Sequence, residues 1–251
     1  AERGGDGKRV DDEGRRRGGN PDHAAFEWSP ELYSETLAGI ETDAPVIAVS
    51  YDHTSLPIER QIEAALDARQ PGLGSAFLLK PKDKELLTIE SVAEHVPLLD
   101  NFDVIGVTEK EAGSSLMERL VFVARLRTLL DEHGVDKPIH AFGALDPFMT
   151  PLYFLAGADI VDGLTWLRFE LSEDGARYLQ SRAAFADPTV TIKDAEWQIR
   201  RTNYVRAVGM QIAFRRYLRS GRYADLSKST ELVEVITKIH GALRSSSHPV
   251  R

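Results

Sequence analysis

The 251-residue sequence contains no cysteine. That excludes disulfide bonds, a thiolate nucleophile and any zinc site that needs sulfur ligands, and it fits a reducing, cytoplasmic location. No stretch approaches the roughly 20 apolar residues needed to span a bilayer, so no membrane association is expected. The first residues are charged and glycine-rich, unlike the apolar core of a signal peptide. A basic excess is also missing: 39 acidic side chains face 31 basic ones, for a formal net charge of −8. Phosphate neutralisation supplies most of the affinity of an autonomous nucleic-acid binder. The overall charge therefore argues against tRNA or DNA bound unaided, leaving a local basic patch as the route to such a partner.

Hydrophobic residues make up 42% of the chain, enough at this length for one large domain or two small ones. Residues 1–20 hold six glycines and eleven charged side chains. So polar a stretch cannot offset its ordering entropy by burial, and residues 1–25 read as a flexible segment. Residues 26–244 read as the folded body and 245–251 as a loose tail.

Within the body, apolar strands alternate with helices. Ser29 and Pro30 read as the cap and first position of a helix that continues through Glu31, Leu32, Leu37 and Ile40. Strands are expected at Val46–Val49, Ala76–Leu79, Val104–Val107, Ile139–Phe142 and Ala158–Asp162. Helices are expected at Pro57–Arg69, Leu86–Leu99, Leu116–Glu132 and Pro151–Ala156. Short, nearly continuous apolar strands separated by helices specify a parallel sheet covered by helices, either a (β/α) barrel or a doubly wound sheet. Beyond residue 170 the alternation stops and the pattern reads as helical, including Trp197–Ser220 and Ser229–Leu243.

In parallel α/β folds the chemistry gathers at the C-terminal strand ends. The residues there are Asp52 and His53, Lys80 and Lys82, Thr108 and Glu109, Gly143 and Asp146, and Asp162 with Arg168. Asp52 and Asp162 end different strands and read either as paired carboxylates across a pocket or as caps of the next helices. Glu109 reads as a capping or surface carboxylate, and His53 and His140 as hydrogen-bonded histidines or general bases. Lys80 to Lys84 reads as a solvated loop or an anion site. No metal is expected, because His133 and His140 have no third ligand at suitable spacing. Between Glu196 and Ala224 stand seven arginines and one acid. There Arg215, Arg216, Arg219 and Arg222 are interleaved with Tyr204, Phe214, Tyr217 and Tyr223. This is either a surface for phosphates and bases or a helix with its aromatics inward and its arginines in solvent.

Several segments in register resemble the tRNA-guanine transglycosylase family. Trp28-Ser29-Pro30-Glu31 leads to a strand ending in Tyr51-Asp52. Asn101-Phe102-Asp103-Val104-Ile105-Gly106-Val107 is similar to a family strand in Phe-Asp-Gly. Lys137-Pro138-Ile139-His140-Ala141-Phe142-Gly143 is similar to its Lys-Pro…Gly stretch, and Gly157-Ala158-Asp159-Ile160-Val161-Asp162 to its nucleophile strand. Arg201-Thr202-Asn203-Tyr204 through Ala224 resembles its closing helix. The resemblance implies a modified (β/α)8, TIM-type barrel that exchanges guanine in a nucleic acid for a 7-deazaguanine base, without a cofactor. It makes Asp162 the nucleophile and Asp52 the acceptor of the base's N–H groups, with Gly106 and Gly143 allowing close approach of a flat ring. Lys80 stands where the family reads the base carbonyl with a glutamine, and Arg168 matches a family arginine.

The departures are as specific. The zinc-binding cysteine cluster is replaced by the segment from Glu170 to Lys193, and Thr202 takes the place of the histidine ligand. The family's first strands, with the aspartate that acts as general base, would precede residue 1, so five of eight strands are expected here. Three readings follow. The first is a divergent base-exchange enzyme. The second is an inactive adaptor holding a nucleobase or a partner protein in a deazaguanine or antiviral pathway. The third is an unrelated α/β-barrel enzyme with Asp52 and Asp162 as its acid/base pair. Five units leave open strand edges, so self-association or completion by another chain is expected.

Overall fold

The computed structural model describes residues 28–53, 56–82, 85–172, 175–179, 181–182 and 189–245. The chain divides into two units, Ala1–Ile40 and Glu41–Arg251. In the first, helix α1 (Pro30–Ala38) starts as its sequence dictates: the Ser29 hydroxyl accepts the Leu32 N–H at 3.2 Å and Pro30 occupies the first turn.

The second unit is built on five parallel strands: β1 (Ile47–Val49), β2 (Gly74–Leu79), β3 (Val104–Thr108), β4 (Ile139–Phe142) and β5 (Ile160–Val161). They pair in the order β1-β2-β3-β4-β5. Each strand lies beside its sequence neighbour and the order never reverses, so the sheet is not doubly wound. Right-handed crossovers in such an order put every connecting helix on one face, and the sheet curls as an open half-barrel.

The connections on that face are α2 (Ile58–Asp67), the short α3 (Ile89–Ala93) and α4 (Val96–Leu99), the long α5 (Leu116–Glu132) and α6 (Met149–Ala156). The expected single helix over 86–99 is thus two. Pro97 falls in the first turn of α4, where it has no N–H to continue a ladder from α3. Phe77, Leu79, Ile105, Val107, Ile139 and Ala141 pack with α5 and α6 in one core. Helix α6 is buried from Thr150 to Ala156, because its outer side is also covered. There Phe154 stacks on Phe214 at 4.4 Å, and Ile236 and Leu243 join the same core.

After β5 comes a single turn, α7 (Thr165–Arg168). An antiparallel hairpin follows, β6 (Phe169–Ser172) with β7 (Gly175–Tyr178). The hairpin corrects the all-helical expectation beyond residue 170. Phe169-Glu170-Leu171-Ser172 alternates with a period of two, and four residues is too short a run to stand out beside the long helices. Helix α8 (Ile192–Ser220) and helix α9 (Thr230–Ser245) complete the described chain.

Candidate functional site at the C-terminal rim of the sheet

Strand alternation gives the sheet two faces. Phe77, Leu79, Ile105, Val107, Ile139 and Ala141 face the helices. Leu78, Gly106, His140 and Ile160, in register across four strands, take the other face. Two residues further along, the same face carries Lys80, Thr108, Phe142 and Asp162 at the rim.

Asp162 is held by the strand beside it. Its Oδ1 accepts the Gly143 N–H at 2.9 Å and lies 3.5 Å from His140 Nε2. Gly143 has φ of +86°, a conformation that glycine adopts without strain and that brings its N–H to the carboxylate. The carboxylate remains half exposed, while the His140 side chain, 15% exposed, stacks on Phe142 with ring centroids 3.7 Å apart. Burial lowers the His140 pKa from its ordinary value, and the Asp162 charge pulls the other way. Asp162 does not cap the next helix: Leu164 is the N-cap of α7 and contributes no side-chain bond.

Asp52 follows β1 and is half exposed; its Oδ2 lies 3.0 Å from Lys80 Nζ. Lys80 also donates to Glu111 Oε1 at 2.7 Å, and only 6% of the residue is exposed. The solvated-loop reading is therefore wrong at Lys80. The strand's alternation turns this side chain inward, where two carboxylates compensate its charge. Burial depresses the ammonium pKa, but the hydrogen bonds to Glu111 and Asp52 and their charges hold it above the ordinary lysine value. Glu111, which sequence reasoning missed, sits in a 3-10 turn with no periodic pattern to mark it. Asp52 does not cap α2 either, whose N-cap is Pro57.

Asp52 and Asp162 thus stand at the same end of one parallel sheet, just beyond its two outermost strands. Each is engaged by its own neighbour, Lys80 for one and Gly143 with His140 for the other. The open space expected over Gly106 is filled: a Cβ there would come 2.7 Å from Phe142 Cε2, because the Phe142 ring folds back down the sheet. Arg168 ends α7 and is exposed, and His53 packs against Tyr51 at 4.8 Å between centroids.

Asp146 Oδ1 accepts the N–H groups of Phe148 and Met149 in the turn that leads into α6, whose N-cap is Phe148. Glu109 is half-buried near Arg119 and Tyr153, and desolvation raises its pKa. Arg215, Arg216, Arg219 and Arg222 are exposed. Their neighbouring aromatics are not, since Phe214, Tyr217 and Tyr223 pack into the core. Tyr204 alone of the four is open, at 67%. Arg222 pairs with Asp225 at 3.2 Å. Among the described residues no group of three or more histidines and carboxylates is disposed to hold a metal ion, and no helix is long and apolar enough to cross a membrane.

In comparisons with known proteins, no family model and no curated protein matches this chain.

Proposed function

We propose that the protein handles guanine or a 7-deazaguanine base at the C-terminal rim of the sheet, as a divergent transglycosylase-like transferase. The observation that carries this reading is the standing of Asp52 and Asp162. Both follow strands of one parallel sheet at the end where such sheets gather ligands, both are half exposed, and neither caps the helix after it. In the first half-reaction an Asp162 oxygen attacks the anomeric carbon of a nucleoside in the nucleic acid. The carbon–nitrogen bond breaks, its electron pair leaves with the base, and a glycosyl ester remains on Asp162. An incoming base reverses the step. Asp52 accepts the base's N–H groups, with Lys80 beside it for a ring carbonyl and Gly143 closing the rim.

The sequential strand order also supports the finer fold, a (β/α)8-type barrel whose remaining strands lie outside the described residues. Among the described residues the outer edges of β1 and β5 carry no strand, and Ile47 and Ile160 on them are 50% and 37% exposed. The exposed arginines Arg215, Arg216 and Arg219 offer phosphate contacts without aromatic stacking. A chain free of cysteine that works on nucleic-acid bases suits the cytoplasm.

One observation favours the adaptor reading. Lys80 already neutralises Asp52, so this carboxylate is part of the scaffold as much as a base reader. The test is guanine binding by calorimetry, with incorporation of labelled guanine into tRNA and DNA. Asp162→Asn should abolish incorporation and leave affinity nearly unchanged, since an amide is isosteric but a poor nucleophile. Asp52→Asn should weaken binding by roughly tenfold or more, because it sets an N–H against the base's own N–H groups. Normal incorporation by Asp162→Asn overturns the covalent mechanism, and unchanged affinity in Asp52→Asn overturns the pocket. Wild-type binding without incorporation into either nucleic acid establishes the adaptor.

A further inference from the structure

We propose that the outer face of α8 is a docking surface for a second copy of this chain, the two helices packing antiparallel about a two-fold axis between Tyr204 and Val205. The inner face of α8 packs on its own chain: Ala195, Ile199, Asn203 and Tyr217 are buried, and Phe214 joins the core. On the opposite side Trp197, Tyr204, Val205, Val208 and Ile212 recur at helical spacing and form one stripe. Trp197, Tyr204 and Val205 leave more than three-fifths of their surface to solvent, and Val208 and Ile212 more than two-fifths. Arg201 lies within the stripe, its guanidinium 5.9 Å from the centre of the Trp197 ring, so that its stem extends the apolar strip. A soluble surface scatters large apolar groups singly; two aromatic rings in line with three aliphatic side chains mark an interface.

Charge and symmetry select the occupant and its direction. Asp194 stands on the same face at the N-terminal end of α8, and Arg215, Arg216 and Arg219 stand on it at the C-terminal end; all four are exposed. A parallel pairing sets those arginines beside their own counterparts. An antiparallel pairing sets Asp194 opposite Arg215 and Arg216 of the second copy, once at each end, and opposes the two helix dipoles. The apolar stripe fits the same operation, as an isologous interface requires. With the axis between Tyr204 and Val205, Trp197 falls level with Ile212 of the second copy, Arg201 with Val208, and Tyr204 with Val205. The two Arg201 residues then stand about 10 Å apart along the helix axis, each facing an apolar side chain. One helix pair buries less than the roughly 800 Å² per partner of a standard complex, so the dimer dissociates on the micromolar scale.

The test uses the full chain. Sedimentation velocity from about 1 to about 100 µM should show the wild type passing from one chain to two. Val205→Glu brings like charges together at the axis and should weaken association at least roughly tenfold. Because Val205 is exposed, the circular dichroism and urea midpoint of that variant should match the wild type. The chain holds no cysteine, so introduced thiols report the register. Val205→Cys should oxidise to a linked dimer, since a disulfide needs Cα atoms within about 7 Å. Trp197→Cys stands about 22 Å along the axis from its counterpart and should stay unlinked, whereas Trp197→Cys combined with Ile212→Cys should link. Linkage by Trp197→Cys alone overturns the antiparallel register. Association that persists in Val205→Glu belongs to another surface, such as the strand edges, and overturns the assignment to α8. A wild type that keeps the mass of one chain at about 100 µM overturns the second copy as occupant and leaves the stripe to a different protein.

Discussion

Asp103 and Asp159 occupy motifs as prominent as those of Asp52 and Asp162, yet their carboxylates stitch strand beginnings together at the opposite end of the sheet. Asp103 Oδ2 accepts the Ser75 N–H at 2.7 Å, while the Asp103 N–H is given to the Ser75 carbonyl. Asp159 does the same one strand pair further on: its Oδ2 accepts the Ile139 N–H at 3.0 Å and its own N–H goes to the Ile139 carbonyl. Asp103→Ala or Asp159→Ala should therefore cost about 0.5–1.5 kcal/mol in urea unfolding, the net worth of a hydrogen bond whose donor water can reach, with base affinity unchanged. Position relative to the strand separates the two kinds of aspartate: Asp103 and Asp159 precede β3 and β5, whereas Asp52 and Asp162 follow β1 and β5. The sequence showed this for Asp103, which stands before its expected strand, but not for Asp159, which the expected strand Ala158–Asp162 took in. What was not legible is the return of the Phe142 ring over Gly106. A rotamer decides it, and neither composition nor period encodes a rotamer.

At the scale of elements, one buried amide ties the hairpin to the long helix. Asn203 of α8 is 0% exposed. Its Oδ1 accepts the Leu171 N–H at 2.9 Å, and its Nδ2 donates to the carbonyls of Phe169 and Trp166 at 2.7 and 2.9 Å. Arg206, one turn along, donates to the Leu171 carbonyl. Asn203→Ala leaves three backbone groups of α7 and β6 without partners. It should lower stability by about 2–4 kcal/mol, with faster hydrogen exchange in β6 and β7 as the specific signature. Restored protection in that variant would remove the amide from this role. The arrangement also explains why the hairpin escaped a reading by periodicity: it is anchored by a side chain 32 residues away, and local pattern carries no information about such a partner. The five strands of the sheet were legible because each is an apolar run bounded by polar residues.

For the whole molecule, pH acts through buried histidines. His240 of α9 is 1% exposed; its Nδ1 meets the Tyr223 hydroxyl at 2.8 Å and its Nε2 is buried without a partner. Burial, then the nearby Arg244 charge, lowers its pKa, and His140 is lowered by burial too. The unfolded chain takes these protons near 6.5, whereas the folded chain takes them only at lower pH. The unfolded state therefore holds more protons between the two values, and stability falls as pH drops below about 6.5. Glu109 acts in the opposite sense. Burial raises its pKa, so its contribution is present at acidic pH and is lost as pH rises from 4.5 through the folded value. Urea midpoints measured from pH 7.5 to 5 should decline below 6.5, and His240→Phe should flatten the decline. A slope identical to wild type would show that His240 stays neutral in both states.

The sequential strand order has a consequence in time. Every strand of the sheet pairs with the one made just before it, so a chain emerging from the ribosome never waits for a distant partner. Each new β-strand and helix can dock on a surface already formed, and the sheet grows by accretion from β1. A growing edge that is always the newest strand stays exposed for the length of one unit's synthesis. It is covered when the next unit arrives, until β5 is left as an edge with no strand of the described chain paired beyond it.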